Sequence, residues 1–207
     1  MTRPAPMSCW QLDDATAIAE ANRYTFYQPS LEIISKVGVG EVVKLIFRGE
    51  GHEPESVFVE RMWVLVDAIE PDGHFVGRLD NDPRGIANLK AGDPVRFEAR
   101  HIINTEHDNP DNLVGRYSKR AFVTQRILAD GVPIGRLYRE APDEEQDSGW
   151  RFTAGDETDD YMDDADNSRY VSLGAILAKD DSVIHLLEAP EGARFFRDPD
   201  TGLFEPV

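Results

Sequence analysis

The chain has a single cysteine, Cys9, among 207 residues. One thiol excludes an intramolecular disulfide and a four-cysteine zinc cage. Cys9 stands near the N-terminus, in a segment expected to be mobile, which argues against a catalytic nucleophile there. Positive charge is scarce too: 22 Lys and Arg stand against 39 Asp and Glu, a net charge of −17. Such a surface repels nucleic-acid phosphates and anionic lipid, so neither nucleic acid nor membrane is an expected partner. Long apolar runs are missing. Met62–Val66 is among the longest, far below the ~20 residues that span a bilayer. The N-terminus lacks the basic-then-apolar order of a secretory signal. A soluble, acidic, cytoplasmic protein is the expectation.

Catalytic motifs are equally sparse. His52, His74, His101, His107 and His185 are dispersed, with no H-E-x-x-H spacing. No G-x-S-x-G elbow occurs. Gly38-Val39-Gly40 lacks the third glycine of a dinucleotide fingerprint, and there is no P-loop. An EF-hand loop starting at Asp164 would place Arg169 at its sixth position and Ala175 at its twelfth, where Gly and Glu are needed. Paired carboxylates suited to glycoside hydrolysis are expected by chance among so many acids. No catalytic residue, cofactor or metal is therefore assigned.

What is present is a globular composition, with 41% hydrophobic and 29% charged residues. The charge is uneven. Residues 1–120 carry 14 basic and 19 acidic side chains, and residues 121–207 carry 8 and 20. Asn104 to Asn112 is polar, rich in Asn and Asp, and favours turns. It places a boundary near 105–118, with one long loop inside a single domain as the alternative. The fold class expected is α+β in two small domains, each an antiparallel-rich sheet with one or two helices. Residues 1–110 read as a mostly-β domain with a leading helix; residues 118–207 read as an acidic α+β domain.

In the first half, Asp13 or Asp14 can cap a helix carrying Ala15, Ile18 and Ala19 on one face. Val42–Phe47 and Val57–Ile69 read as strands, the second apolar on both faces in its middle, as if covered on two sides. Pro71-Asp72-Gly73 turns the chain back into His74–Leu79. Asp80–Gly85 is a loop, Lys90–Asp93 a turn, and Pro94–Ile102 a strand. The hairpin spacing suggests a sheet curling towards a barrel. In the second half, Ala121–Leu128, Ile134–Arg139 and Trp150–Phe152 read as strands. Ser172 can cap a helix to about Ala178, and Asp181 or Ser182 a second one through Glu188. Arg194–Arg197 and Leu203–Glu205 close the chain as strands.

The densest signal is acidic. Residues 140–166 hold 12 carboxylates and one base, Arg151. As a helix, Asp159/Asp163 and Asp160/Asp164 would be like-charge pairs, each costing roughly 0.2–0.5 kcal/mol. A loop or turns is expected instead. The stretch reads in three ways: a solvated face without a partner, a docking surface for a basic protein, or an irregular divalent-cation site. Trp150 and Phe152 share one face of an extended segment and Arg151 takes the other. Both aromatics belong either to the core or to a hot spot inside the acidic rim. The candidate partner-binding residues are Trp150, Arg151, Asp156, Glu157, Asp159, Asp160, Asp163, Asp164 and Asp166.

Two resemblances follow from ordered motifs. Asp147-Ser148-Gly149-Trp150-Arg151-Phe152, Gly155-Asp156-Glu157, Asp159-Asp160-Tyr161, Asp164-Ala165-Asp166-Asn167 and Ala189-Pro190 before Phe195 cover most of residues 121–207. They resemble a bacterial domain family of predicted immunity proteins of polymorphic toxin systems, the immunity protein 33 type. Ser168-Arg169-Tyr170-Val171 departs from that pattern, where a more hydrophobic or glycine-containing bridge is expected. Arg61–Val66, Gly77–Pro83 and Leu89–Asp93, within residues 15–105, resemble a second, uncharacterised bacterial domain with no established chemistry. The first resemblance implies an intracellular, non-enzymatic protein that binds and blocks a toxin; the reading joined to it is that the acidic loop docks onto a basic toxin surface, such as a nuclease active site. Two alternatives stay open. One is a divalent-metal-dependent enzyme using the 156–166 carboxylates. The other is a housekeeping interaction module, with the Asp80–Gly85 loop as a contact surface.

Overall fold

Alternating apolar residues build two sheets, and strand residues outnumber helical ones, 35% against 21%, so the chain is α+β. The computed structural model describes residues 10–53, 56–109 and 112–207. Cys9 lies outside the described residues. Two compact units emerge. One holds the described chain up to Ala21 together with Phe26–Asn112; the other holds Asn22–Thr25 together with Leu113–Val207. No helix among the described residues is long and apolar enough to cross a membrane.

The first unit runs β1 (Trp10–Leu12), α1 (Ala15–Ala21), α2 (Leu31–Ile34), β2 (Val42–Glu50), β3 (Val57–Ile69), β4 (Phe75–Leu79), β5 (Pro94–Phe97) and β6 (Ile102–Asn104). Asp14 starts α1: its Oδ1 accepts the N–H groups of Thr16 and Ala17 at 3.0 and 3.1 Å. The strands lie in the order β1-β2-β3-β4-β5, and β6 returns to β2. Val43, Leu45 and Phe47 of β2 face Met62, Val64 and Val66 of β3 and Val95 and Phe97 of β5 in one core. On the other side of β2, Ile46 packs with Ala15, Ile18 and Ile103.

Pro94–Ile102 is not one strand. It breaks after Phe97 into a 3-10 turn, Ala99–His101, where the Glu98 N–H donates to His101 Nδ1 at 3.0 Å. The short link has a consequence for shape. Laid flat, the path β6-β2-β3-β4-β5 would separate its outer strands by about 19 Å. Five residues from Phe97 to Ile102 reach at most about 17 Å when extended, and less through a 3-10 turn. The sheet must therefore curl, as the hairpin spacing suggested. The middle of β3 is covered on one face only. Met62, Val64 and Val66 are buried, whereas Trp63 and Leu65 are half-buried. On that outer face Trp63 meets the Lys44 ammonium, 4.6 Å from the ring centre.

The second unit runs α3 (Leu113–Arg116), β7 (Arg120–Thr124), α4 (Gln125–Leu128), β8 (Arg136–Arg139), β9 (Asp147–Thr153), α5 (Asp159–Met162), β10 (Ser168–Ser172), α6 (Leu173–Leu177), β11 (Arg194–Arg197) and β12 (Phe204–Pro206). The sheet order is β10-β7-β9-β8-β11-β12. Only β7 and β9 pair in parallel. Ala121–Leu128 divides into β7 and α4, which turns Ile127 into the core beside Val123. Ser172 caps α6 as expected, its Oγ accepting the Ala175 N–H at 3.2 Å. The next turn, Asp181–Leu186, is capped by Asp180 rather than by Asp181 or Ser182. Asp180 also accepts the Ile134 N–H and Arg197 Nη2, at 3.0 and 2.6 Å, so one carboxylate ties three segments together.

Tyr24 belongs to this second core. Its side chain is buried, and its hydroxyl donates to Asp181 Oδ2 at 2.8 Å. Burial, reinforced by that carboxylate, raises the phenol above its ordinary pKa. Its backbone also sits close: a Cβ on Gly174 would lie 2.4 Å from the Tyr24 carbonyl oxygen, so α6 needs glycine there. Tyr24→Ala should destabilise the second unit by about 3 kcal/mol through the cavity it leaves. Tyr24→Phe should cost about 1 kcal/mol for the lost hydrogen bond. Urea titration of both variants against the parent chain measures the difference.

Candidate protein-binding surface

The motif Asp147-Ser148-Gly149-Trp150-Arg151-Phe152 forms β9, in the middle of the second sheet. Period-two alternation sends Ser148, Trp150 and Phe152 to one face and Asp147, Gly149 and Arg151 to the other. Trp150 is 1% exposed, and its indole N–H donates to the Leu187 carbonyl at 3.2 Å. Ser148 Oγ donates to the Arg120 carbonyl at 2.7 Å, stitching β9 to β7. On the opposite face Arg151 reaches back across Gly149 to Asp147. Nη1 and Nη2 donate to the two carboxylate oxygens at 3.0 and 2.9 Å. Gly149 makes this possible, with φ of 78° and no room for a side chain. An added Cβ would lie 2.2 Å from the Glu140 carbonyl oxygen.

Asp147 is buried and also accepts the N–H groups of Gly149 and Asp143, at 2.9 and 3.1 Å. Arg151 is the main reason its carboxyl is held down to about 2; burial works against this and the two N–H groups assist. Arg151 further contacts Glu140 at 3.2 Å and lies over Phe122, 5.0 Å from the ring centre. Trp150 therefore takes the core alternative, and both of these candidate partner-binding residues are buried. One fills the core, and the other is an internal counter-charge with 8% of its surface exposed.

The acidic stretch divides in the same way. Glu157 folds inward and accepts the Thr124 hydroxyl at 2.7 Å and the N–H groups of Ala154 and Gly155 at 2.7 and 2.8 Å. Burial alone would raise its carboxyl, but these donors together hold it below the ordinary value. Asp156 pairs with Arg126 at 2.7 Å. Thr158 caps α5, a single turn whose first residues, Asp159 and Asp160, suit the positive end of a helix. Asp164 caps the 3-10 turn Ala165–Asn167. The carboxylates of Asp159, Asp160, Asp163 and Asp166 remain: they are exposed, and no hydrogen bond or ion pair engages them among the described residues. Met162, 42% exposed, stands among them. These carboxylates do not converge as metal ligands. Among the described residues only Glu70, Asp72 and His74, in the first unit, bring three ligand atoms within 4.8 Å. Arg96 already pairs with both of those carboxylates, at 2.8 and 3.1 Å.

A further surface was missed from the sequence. Tyr170, Phe122, Tyr138 and Arg194 form a row across the sheet on the face turned away from α6, with the buried Arg151 standing between Phe122 and Tyr138. Arg120 lies over Tyr170 at 5.0 Å, Phe122 packs on Tyr170 at 4.8 Å, and Arg136 lies over Tyr138 at 5.7 Å. Phe122 and Phe196 are 42% and 44% exposed. The signal was an Arg-x-aromatic step repeated in three strands: Arg120-x-Phe122, Arg136-x-Tyr138 and Arg194-x-Phe196. Ser168–Val171, the departure from the family pattern, forms most of edge strand β10 and supplies Tyr170 to this row. Aromatic and arginine side chains of this kind are enriched in protein interfaces.

A family model described as "Uncharacterized protein conserved in bacteria (DUF2314)" matches residues 14–127. One described as "Immunity protein Imm33 domain" matches residues 121–207. The two stand in the order expected from the sequence motifs. No curated protein and no solved structure matches the chain.

The ion pair within β9 gives a signed prediction. The Asp147 carboxyl titrates near 2 in the fold against 3.8 as an ordinary side chain. Its contribution, about 2 kcal/mol, is fully present above the higher value and is lost as pH falls towards the lower one. Asp147→Asn should cost about 3–5 kcal/mol at neutral pH, because Arg151 stays buried without its main partner. Denaturant titrations between pH 5 and pH 2, on the order of four points, should show this fall in the parent and a flatter profile in the variant.

Proposed function

The chain belongs to the family of uncharacterized proteins conserved in bacteria whose model spans residues 14–127, and from that premise, joined to its C-terminal similarity to an immunity protein domain, we propose that it is a non-enzymatic immunity-type protein of the cytoplasm. It binds a basic protein toxin and blocks it. The observation that carries this reading is the set of free carboxylates at Asp159, Asp160, Asp163 and Asp166 around exposed Met162. The turns beneath them are tied to Thr124 at the end of β7 by Glu157 and to Arg126 of α4 by Asp156, so the charges are held in place before a partner arrives. A fixed acidic patch steers a basic partner and rejects acidic competitors. The Arg-x-aromatic face supports a second contact, in which flat aromatic area supplies burial and the arginines meet carboxylates at the partner's rim.

Affinity capture from the native host, with the tagged chain as bait, tests the proposal. A basic partner should be retained at low salt and released at high salt. Replacing Asp159, Asp160, Asp163 and Asp166 together with Asn should lower the association rate about ten-fold or more, with a smaller effect on dissociation. Unchanged association kinetics in that variant, or across the salt range, would refute electrostatic docking through this segment.

A further inference from the structure

We propose that the cleft of the first unit between the outer face of β3 and the loop 80–86 binds a small phosphate-bearing molecule. The cleft has a volume of about 520 Å³ and is lined by Lys44, Arg61, Trp63, Asn81, Asp82 and Arg84, together with Glu60 and Met62. Its volume lies in the range of small-molecule sites, roughly 300–1,000 Å³. Three cations line one cavity in a chain with 39 acids and 22 bases. Among the described residues none of the three side chains makes an ion pair with a carboxylate.

Two of the three cations rest on aromatic rings rather than on anions. The Lys44 ammonium lies 4.6 Å from the Trp63 ring centre, and the Arg61 guanidinium 5.6 Å from that of Phe26. Such contacts fix the side chains while leaving their N–H donors available. The loop is fixed as well. Glu60 accepts the backbone N–H groups of Arg84, Gly85 and Ile86 at 2.8, 2.8 and 3.1 Å. These donors keep Glu60 ionised and aim its carboxylate at the loop backbone, with the Arg84 charge close enough to assist. Asn81 Oδ1 accepts the Trp63 N–H at 2.6 Å, which leaves the Asn81 amide hydrogens as further donors.

The charge count selects the ligand. A monocarboxylate engages one cation at a time. A compact group with two or more negative charges offers acceptors to several cations at once, and guanidinium forks match phosphate oxygens in pairs. A long polyanion would meet the field of a chain with net charge −17, which favours a small molecule. Glu60 and Asp82 are the opposing charges in the lining, which leaves it one positive charge in excess, and Asp82, whose carboxylate makes no hydrogen bond or ion pair among the described residues, works most directly against any anion bound there. The inference rests on the first unit alone and is independent of the toxin-binding proposal.

Titration of the full chain with inorganic pyrophosphate, followed by calorimetry and by the NMR signal of the Trp63 indole N–H, tests it. Saturable binding is expected. Lys44→Gln, Arg61→Gln and Arg84→Gln should each weaken it about ten-fold, the loss of one charge-assisted hydrogen bond. Asp82→Asn should tighten it. Citrate, a carboxylate of similar charge, should bind more weakly than pyrophosphate. The proposal fails if sodium chloride at matched ionic strength gives the same spectral change, or if the triple Gln variant binds as the parent does. Equal affinity for citrate would overturn the assignment to phosphate.

Discussion

The second unit is organised around one buried ion pair inside one strand. Arg151 turns back over Gly149 to grip Asp147, and both charges lie in the middle of a six-stranded sheet. Buried charges are tolerated only when their hydrogen bonds are complete. Here Asp147 is met by two backbone N–H groups as well as by the guanidinium. One of those N–H groups comes from Asp143, in the acidic loop before β9, so the same pair that settles the strand also orders that loop. Ser148 and Trp150 then tie the opposite face to β7 and to Leu187. A motif conspicuous in sequence thus describes how the sheet is assembled, and recognition falls to residues around it.

Acidity has a similar double use. Glu157, Asp156, Asp164 and Asp180 each satisfy backbone or arginine donors, whereas Asp159, Asp160, Asp163 and Asp166 satisfy none. Net charge alone does not separate the two groups. The distinction comes from where the backbone needs an acceptor: at a cap, at a turn, or beside a buried hydroxyl. Carboxylates left over from that local demand form the charged face.

Much of the fold was legible because it rests on local chemistry. Asp14 and Ser172 cap their helices, and β3 runs from Val57 to Ile69 as its composition indicated. Errors arose where tertiary demands override pattern. Alternation in Pro94–Ile102 and Ala121–Leu128 continues through points where the chain must bend, at Ala99–His101 and at Thr124. The binding surface was legible only in part. Trp150 and Arg151 stand out by type, yet their burial depends on neighbours distant in sequence. The row from Tyr170 to Arg194 is assembled by strand order, which no single segment reveals. The same is true of the cations at Lys44, Arg61 and Arg84, which are separated along the chain and gathered by one curled sheet and its loop.

The placement of Asn22–Thr25 bears on how the protein is made. Synthesis delivers Tyr24 nearly ninety residues, on the order of several seconds of translation, before the first residue of Leu113–Val207. The flanks of this short segment belong to the first unit, whereas the segment itself finds its buried partners only among residues made later. Burial of Tyr24 thus requires the C-terminal part of the chain, and the environment of this one ring reports whether the second core has formed.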